Sequence, residues 1–390
     1  MTDAFPYYQP QTFHANLAGQ AIQFVSKPGL PGWDNVSPGA ALLADAVQAP
    51  PAGQILLLGS GHGALAAILA HRVPQGWLWA ADSLASALAM THKTLEINQV
   101  HNAQVLTSLS LAPGTCQAAA MLLPKGRKLA RRWLLQAHAA LAPGGAFYLA
   151  GANDEGIQAV LKDAAQLFGT AGILGYKKGH RAARMLKPHS PLPLPPWAAE
   201  PGIAPGTWHQ FEIAIRGQSF MIHSLPGVFS YDQLDEGTAL LLETLAIPQG
   251  VDVLDIGCGC GIIGMYASRL GAGRVDLVDN NLLAIEATQE NLLRNQIPAA
   301  QALAGDLLEP VAGRQYDLVL SNPPFHTGKE VDYQVAHTLI AHAHQVLKPG
   351  GLLTLVANRF IRYDRLMAQI FGSVQAVKET GRFHVLTSQK

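Results

Sequence analysis

The stretch Asp255-Ile-Gly-Cys-Gly-Cys-Gly261 places a carboxylate directly before three glycines at alternate positions. Gly257, Gly259 and Gly261 carry no Cβ, so a backbone built from them can turn tightly and approach a ligand closely. Gly259, Gly261 and Gly264 also satisfy the dinucleotide pattern G-x-G-x-x-G, with Asp279 about 20 residues on to hold a ribose. Asp255 discriminates between the two readings. A carboxylate ahead of the glycines repels a pyrophosphate but accepts hydrogen bonds from a cationic amino-acid moiety. That favours S-adenosylmethionine over a nicotinamide dinucleotide. Asp279 would then take both ribose hydroxyls, and Asp306 the adenine amino group.

A second cluster, Asn322-Pro323-Pro324-Phe325, follows an apolar run. Two prolines withhold their N–H groups and stiffen the turn, so the amide oxygen of Asn322 and the carbonyl of Pro323 can face one spot. Such a pair accepts both protons of a planar exocyclic amine and aims its nitrogen at an electrophilic methyl, while Phe325 stacks on the attached base. Cys258 and Cys260 form a C-x-C pair, but the only other cysteine, Cys116, lies far away, and metal binding needs more ligands. No metal is expected. Three unevenly placed cysteines also argue against a disulfide framework and for a reducing compartment.

Elements that could position these residues alternate in type. An apolar strand over Val251 to Ile256 leads into the glycine loop, and a helix starts at Ile262. Strand Val275 to Val278, helix Leu283 to Asn295, a short strand ending near Ala304, strand Tyr316 to Leu320, helix Val335 to Leu347 and strand Leu352 to Ala357 complete a doubly wound α/β domain. Gly217-Gln218 reads as a hairpin turn ahead of that core. The chain also repeats itself. A shift of 198 positions brings Gly19 onto Gly217, Pro28-Gly29 onto Pro226-Gly227, and Gly59, Gly61 and Gly63 onto Gly257, Gly259 and Gly261. One gap later, Asp82 falls on Asp279. The fold expected is two tandem doubly wound, Rossmann-like domains from a duplication: residues 1–187, a proline-rich extended linker over 188–206, and residues 207–390. The linker holds seven prolines in 19 residues.

With 390 residues, 49% of them hydrophobic and 14% charged, the composition excludes a disordered or collagen-like chain. No apolar run reaches the roughly 18 residues of a spanning helix, and the start has neither the basic end nor the apolar stretch of a signal peptide, so a cytoplasmic, membrane-free protein is expected. The zero net charge hides an asymmetry. Residues 1–200 carry 14 basic and 9 acidic side chains, and residues 201–390 carry 13 and 18. From Lys125 to Lys187 there are 11 basic against 3 acidic residues, a local +8 to which a polyanion could bind.

Taken together, Asp255 to Gly261, Asp279, Asp306 and Asn322 to Phe325 resemble the class I methyltransferase motifs of enzymes that methylate exocyclic amines. More narrowly, His223-Ser-Leu-Pro-Gly-Val-Phe-Ser230, Leu234-Asp-Glu-Gly-Thr238, Asn322-Pro-Pro-Phe-His326 and Thr380-Gly-Arg-Phe383 resemble the RsmC-type small-subunit ribosomal RNA guanine-N2 methyltransferases, over nearly the whole chain. The large-subunit guanine-N2 enzymes share the Asn-Pro-Pro-Phe-His segment and are close competitors. The resemblance implies methyl transfer from S-adenosylmethionine to N2 of a guanine in 16S rRNA, within the small subunit or its precursor, by a monomer. It places the cofactor on Asp255, Gly257, Cys258, Gly259 and Gly261, on Asp279 with Asn280, on Asp306 with Leu307, and on Asn322. Asn322, Pro323, Pro324 and Phe325 are the catalytic set.

The first half has lost these groups. Leu57 replaces Asp255, the region of Ser108 replaces Asp306, and Leu122-Leu-Pro-Lys125 stands near where the Asn322 turn should be. What it has instead is Lys125, Arg127, Lys128, Arg131 and Arg132, expected to grip RNA phosphates, so this half reads as an RNA-docking and supporting module. Competing readings are an adenine-N6 or protein-glutamine methyltransferase, which also use Asn-Pro-Pro-aromatic turns, and a nucleotide-binding RNA scaffold without turnover.

Overall fold

The computed structural model describes residues 6–108, 111–323 and 330–390. They fall into two compact units, one of Tyr8–Thr207 and the other of Tyr7 with Trp208–Lys390.

The amino-terminal unit begins with a hairpin, β1 (Gln11–Leu17) and β2 (Gln20–Ser26), whose turn Ala18-Gly19 has φ of 51° and 77°. Then follow α1 (Pro38–Ala46), β3 (Gln54–Leu58), α2 (Ala64–His71), β4 (Trp77–Ala81), α3 (Ala85–Ile97), β5 (Ala103–Leu106), β6 (Cys116–Leu122), α4 (Arg127–Ala140), β7 (Leu141–Ala152), α5 (Ile157–Phe168), β8 (Gly172–Lys177) and β9 (His180–Leu186). The sheet order is β5-β4-β3-β6-β7-β9-β8. Its centre is parallel, and β9 inserts antiparallel between β7 and β8. A parallel centre is covered on both faces, which is why Ile55 to Leu58 are all apolar and all buried.

The carboxy-terminal unit repeats this plan. Hairpin β10 (His209–Ile215) and β11 (Gln218–Ser224) precedes α6 (Glu236–Thr244), β12 (Val253–Ile256), α7 (Ile262–Arg269), β13 (Val275–Asp279), α8 (Leu282–Arg294) and β14 (Ala300–Ala304). β15 (Tyr316–Ser321), α9 (Glu330–Val346), β16 (Leu347–Asn358), α10 (Tyr363–Phe371), β17 (Gln375–Glu379) and β18 (Phe383–Gln389) complete it. Its order, β14-β13-β12-β15-β16-β18-β17, is that of the first sheet element for element. Two tandem doubly wound domains are therefore present, as the repeat implies.

Several details differ from the sequence reading. The hairpin turn is Arg216-Gly217, with φ of 47° and 80°, so Gln218 already pairs with Ile215. Asp252 lies just outside β12, where its N–H donates to the Asp317 carboxylate. The expected patterns also missed α6 and the closing hairpin β17–β18, whose apolar residues are too few and too mixed with polar ones to stand out as periodic.

The proline-rich stretch is not a free linker throughout. Its later part forms a short 3-10 turn, Pro196–Ala199, that packs on the amino-terminal unit: Trp197 is buried, its indole N–H donates to Gln166 (2.7 Å), and the Arg131 guanidinium lies over its ring at 5.1 Å. Proline forbids regular structure but not docking. Among the described residues no helix is long and apolar enough to cross a membrane.

Candidate active site

Strand β12 ends inside the sheet, so its last residues, Asp255 and Ile256, are buried between β13 and β15. The chain then leaves through Gly257, Gly259 and Gly261, with φ of 73°, 57° and 84°, a conformation that side chains with a Cβ rarely adopt. A Cβ at Gly257 or Gly259 would meet nothing within 4 Å among the described residues, whereas one at Gly261 would strike Thr288 at 2.8 Å. The first two glycines thus face open space and the third packs. Gly264 packs too, since a Cβ there would lie 2.4 Å from Leu277. The loop is braced from α8: Thr288 donates to the Gly259 carbonyl (2.9 Å) and Asn291 to the Cys260 carbonyl (2.9 Å). Cys258 and Cys260 are buried free thiols, and burial pushes both well above the ordinary thiol range.

Asp255 accepts the Gly264 N–H on Oδ2 (3.0 Å), while its Oδ1 is buried with no hydrogen-bond partner among the described residues. Burial pushes this carboxyl up to about 7; the Gly264 N–H opposes the rise and the Asp279 charge adds to it. A buried, unsatisfied carboxyl oxygen beside an open glycine loop is a polar group awaiting a partner, and a cationic donor would draw it into its ionised form. Asp279, at the end of β13, accepts the Gly259 N–H (2.9 Å) and the Asn281 N–H (2.8 Å). Burial pushes it up to about 6 against backbone donors from Asn281, Gly259 and Asn280. Asn280, the next residue, is partly exposed. The Gly305 N–H donates to the Asp279 carbonyl (3.0 Å), which carries the chain to Asp306 and to Leu307, held at φ 51°. Asp306 is buried and takes the hydroxyl of Tyr7 on both oxygens, at 3.1 and 3.0 Å. Sequence reasoning missed Tyr7 because nothing local connects it with a residue 299 positions away.

The Asn322 turn is joined to the loop by its neighbour. Ser321, the last residue of β15, donates its hydroxyl to the Ile256 carbonyl (2.7 Å), so the turn starts beside the first glycine. The Asn322 Nδ2 donates to Asp235 Oδ2 (3.0 Å) and lies 2.8 Å from the Thr238 hydroxyl. Its Oδ1 is buried and takes no hydrogen bond from the described residues. A carboxylate can only accept, which orients the amide with nitrogen inward and oxygen outward. Asp235 and Thr238 were visible only as part of a resemblance; the structure gives them their job. The Thr380 motif meets the Leu234 motif here as well: the Phe383 ring lies against Gly237, and Arg382 pairs with Glu236 (2.8 Å). Pro323 is buried, whereas Pro324, Phe325 and His326 lie outside the described residues.

The amino-terminal unit keeps the loop but closes the space beside its first glycine. Gly59, Gly61 and Gly63 have φ of 81°, 56° and 86°, and Asp82 accepts the Gly61 N–H (2.9 Å) as Asp279 accepts that of Gly259. Yet a Cβ on Gly59 would lie 3.1 Å from the Leu122 carbonyl oxygen and 3.5 Å from Trp133, and Leu57 offers no polar atom. Of the five basic residues expected to grip phosphate, Arg131 and Arg132 are engaged otherwise. Arg131 pairs with Asp163 (3.0 Å) and Glu200 (3.4 Å), and the buried Arg132 donates to the Gly202 carbonyl (2.7 Å). Arg127 also pairs with Asp163 (2.7 Å) but is half exposed, and Lys125 and Lys128 are exposed. Burial alone would raise the Asp163 carboxyl; the Arg127 and Arg131 guanidiniums outweigh it and hold the group below the ordinary range. Helix α4 turns its inner basic face onto one buried acid, a use of charge that a linear run does not reveal. Among the described residues no cluster of three or more metal-ligating side chains exists.

A seven-stranded sheet with a glycine loop, two strand-end acids and an Asn-Pro turn at the carboxyl ends of its strands defines a methyltransferase. Comparison with known proteins agrees: the methyltransferase small domain model matches twice, at residues 21–181 and 219–387. Ribosomal RNA small subunit methyltransferase C of Pseudomonas entomophila is 36% identical over 270 residues, 69% of this chain and 77% of the relative. That of Ectopseudomonas mendocina is 31% identical over 346 residues, 87% and 95% of the two chains. The solved structure of the T. thermophilus 16S rRNA N2 methyltransferase RsmC, in complex with AdoMet and guanosine, superposes with a TM-score of 0.82 at 26% identity over 99% of both chains. The chain belongs to the ribosomal RNA small subunit methyltransferase C family.

Proposed function

We propose that the carboxy-terminal unit transfers a methyl group from S-adenosylmethionine to N2 of a guanine in 16S rRNA, the base and atom for which its T. thermophilus relative is named. The observation that carries this reading is the Asn322 amide, whose nitrogen is tied to Asp235 and Thr238 and whose oxygen is left as a buried acceptor. An exocyclic amine offers the complementary donor.

Asp255 is assigned the cationic amino group of the cofactor, the open side of Gly257 and Gly259 its amino-acid portion, Asp279 and Asn280 its ribose, and Asp306 with Leu307 its adenine. Bound there, the cofactor supplies a methyl group on a positively charged sulfur, already strongly electrophilic. The protein's contribution is placement. Asn322 Oδ1 and the Pro323 carbonyl hold the amine hydrogens, aim the nitrogen lone pair, and stabilise the positive charge that grows on nitrogen as the bond to carbon forms. Pro324 keeps the turn stiff, Phe325 stacks on the base, and the nitrogen proton leaves to water. The guanine must first leave its stack, because its amino group is unreachable inside a folded helix. In the amino-terminal unit, Lys125, Lys128 and the exposed side of Arg127 are the residues we assign to RNA phosphates.

The test is methylation of small subunits, and separately of naked rRNA, from cells lacking the protein, with tritiated cofactor and mapping of the modified nucleotide. Label on N2 of one 16S guanine is expected. Label confined to 23S rRNA, to adenine or to protein would overturn the reading.

A further inference from the structure

We propose that Tyr7 is a placeholder in the adenine site: in the free protein its hydroxyl holds the Asp306 carboxylate, and cofactor binding exchanges that donor for the adenine amino group. The inference rests on the reading above that Asp306 receives adenine.

Three observations carry it. First, the Tyr7 hydroxyl stands 3.1 and 3.0 Å from the two carboxylate oxygens, so one donor is centred on the group and covers the approach to both. An adenine amino group needs one of those oxygens in the same in-plane direction, and the two donors compete for it. Second, Asp306 cannot swing aside to serve both. Its turn is tied to Asp279 through the Gly305 N–H, Leu307 is held at φ 51°, and Pro310 packs where a Gly305 side chain would be. Third, the partner that can move is the tyrosine. It sits in a three-residue turn, Pro6–Tyr8, where displacement costs little backbone order, although Tyr7 itself is buried and belongs to the carboxy-terminal unit. The exchange keeps Asp306 paired in both states, so a buried carboxylate is never left bare. It also makes the site demand a donor: a ligand with a keto oxygen in place of the adenine amino group cannot displace the tyrosine.

Calorimetry with S-adenosylhomocysteine on the full chain, in the wild type, Tyr7→Phe and Asp306→Ala, tests the exchange. Tyr7→Phe removes the competitor and is expected to bind about tenfold tighter, the scale of one hydrogen bond to a charged group. Asp306→Ala is expected to bind at least tenfold weaker. Chymotrypsin gives a readout independent of affinity. Pro6 blocks cleavage after Phe5, so Tyr7–Tyr8 and Tyr8–Gln9 are the bonds of this turn open to the enzyme, and saturating S-adenosylhomocysteine should speed their cleavage in the wild type. Equal or weaker binding by Tyr7→Phe, or protection of those bonds by the ligand, overturns the placeholder while leaving the adenine reading standing. Unchanged binding by Asp306→Ala overturns the adenine reading itself.

Discussion

One oxygen of Asp235 accepts both the backbone N–H of Thr238, at 2.8 Å, and the side-chain amide of Asn322, at 3.0 Å. The first bond caps α6 and the second orients the substrate-facing amide, so the start of a helix and the aim of the active site depend on a single atom. The Thr238 hydroxyl, 2.8 Å from the same amide nitrogen, closes the clamp.

Loss of the clamp should therefore mimic loss of Asn322. Asn322→Ala is expected to cut single-turnover methylation by roughly 100-fold or more, with S-adenosylhomocysteine affinity nearly unchanged, because an oriented transition-state partner contributes on the order of 3 kcal/mol. Asp235→Ala should lower turnover in the same way and also cost about 1 kcal/mol of stability through the missing cap. The double mutant should turn over no more slowly than Asn322→Ala alone. Additive losses would show that Asp235 acts by another route.

Cofactor binding should be linked to proton release. Asp255, raised to about 7, is half protonated at neutral pH in the free protein and ionised once it faces an ammonium. Calorimetry at pH 7 in buffers of different ionisation enthalpy should register about half a proton released from this group per ligand bound, with a further share from Asp279, raised to about 6. The sign for folding follows. A carboxyl raised in the folded state contributes stability that is complete below about pH 4 and lost as pH rises through about 7, so Tm should fall over that range and the ligand should restore it. Asp255→Asn should abolish the Asp255 share of the released protons and flatten the Tm profile. A pH-independent affinity between about pH 6 and 8 would contradict this assignment.

Each chain should bind one cofactor. Gly59 is closed off by Leu122 and Trp133, and Leu57 replaces the acid that precedes the glycines, so the first loop keeps its shape and Asp82 but loses the space beside its first glycine and the carboxylate ahead of it. Calorimetric stoichiometry should be near one, and Asp279→Ala should remove the signal. A second site surviving in that mutant would place a ligand in the amino-terminal loop.

The basic stretch should divide in two on mutation. Asp163→Ala strips the buried partner from Arg127 and Arg131, of which the first is half exposed and the second keeps Glu200, and is expected to cost about 1.5 to 3 kcal/mol, read by urea denaturation. Lys125→Gln with Lys128→Gln should reduce the salt slope of RNA binding by about 0.7 to 0.9 for each phosphate no longer neutralised. Unaltered RNA affinity in the latter would remove these lysines from the RNA face.

What was legible in the sequence is what local chemistry dictates. The glycine loop, the acids at strand ends and the Asn-Pro turn each impose a backbone requirement on a few consecutive residues, and the 198-residue repeat makes the two sheets alike before either is seen. The partners were decided by tertiary structure alone. Asp235 reaches Asn322 across 87 positions, Tyr7 reaches Asp306 across 299, and Asp163 collects Arg127 and Arg131 from a neighbouring helix. A hydrogen bond has a direction and a length of about 3 Å, and which donors and acceptors come within that length is settled by how the strands and helices pack, not by spacing along the chain. The same holds for charge: a cluster of five basic residues reads as one surface, and packing α4 against α5 turned part of that surface inward.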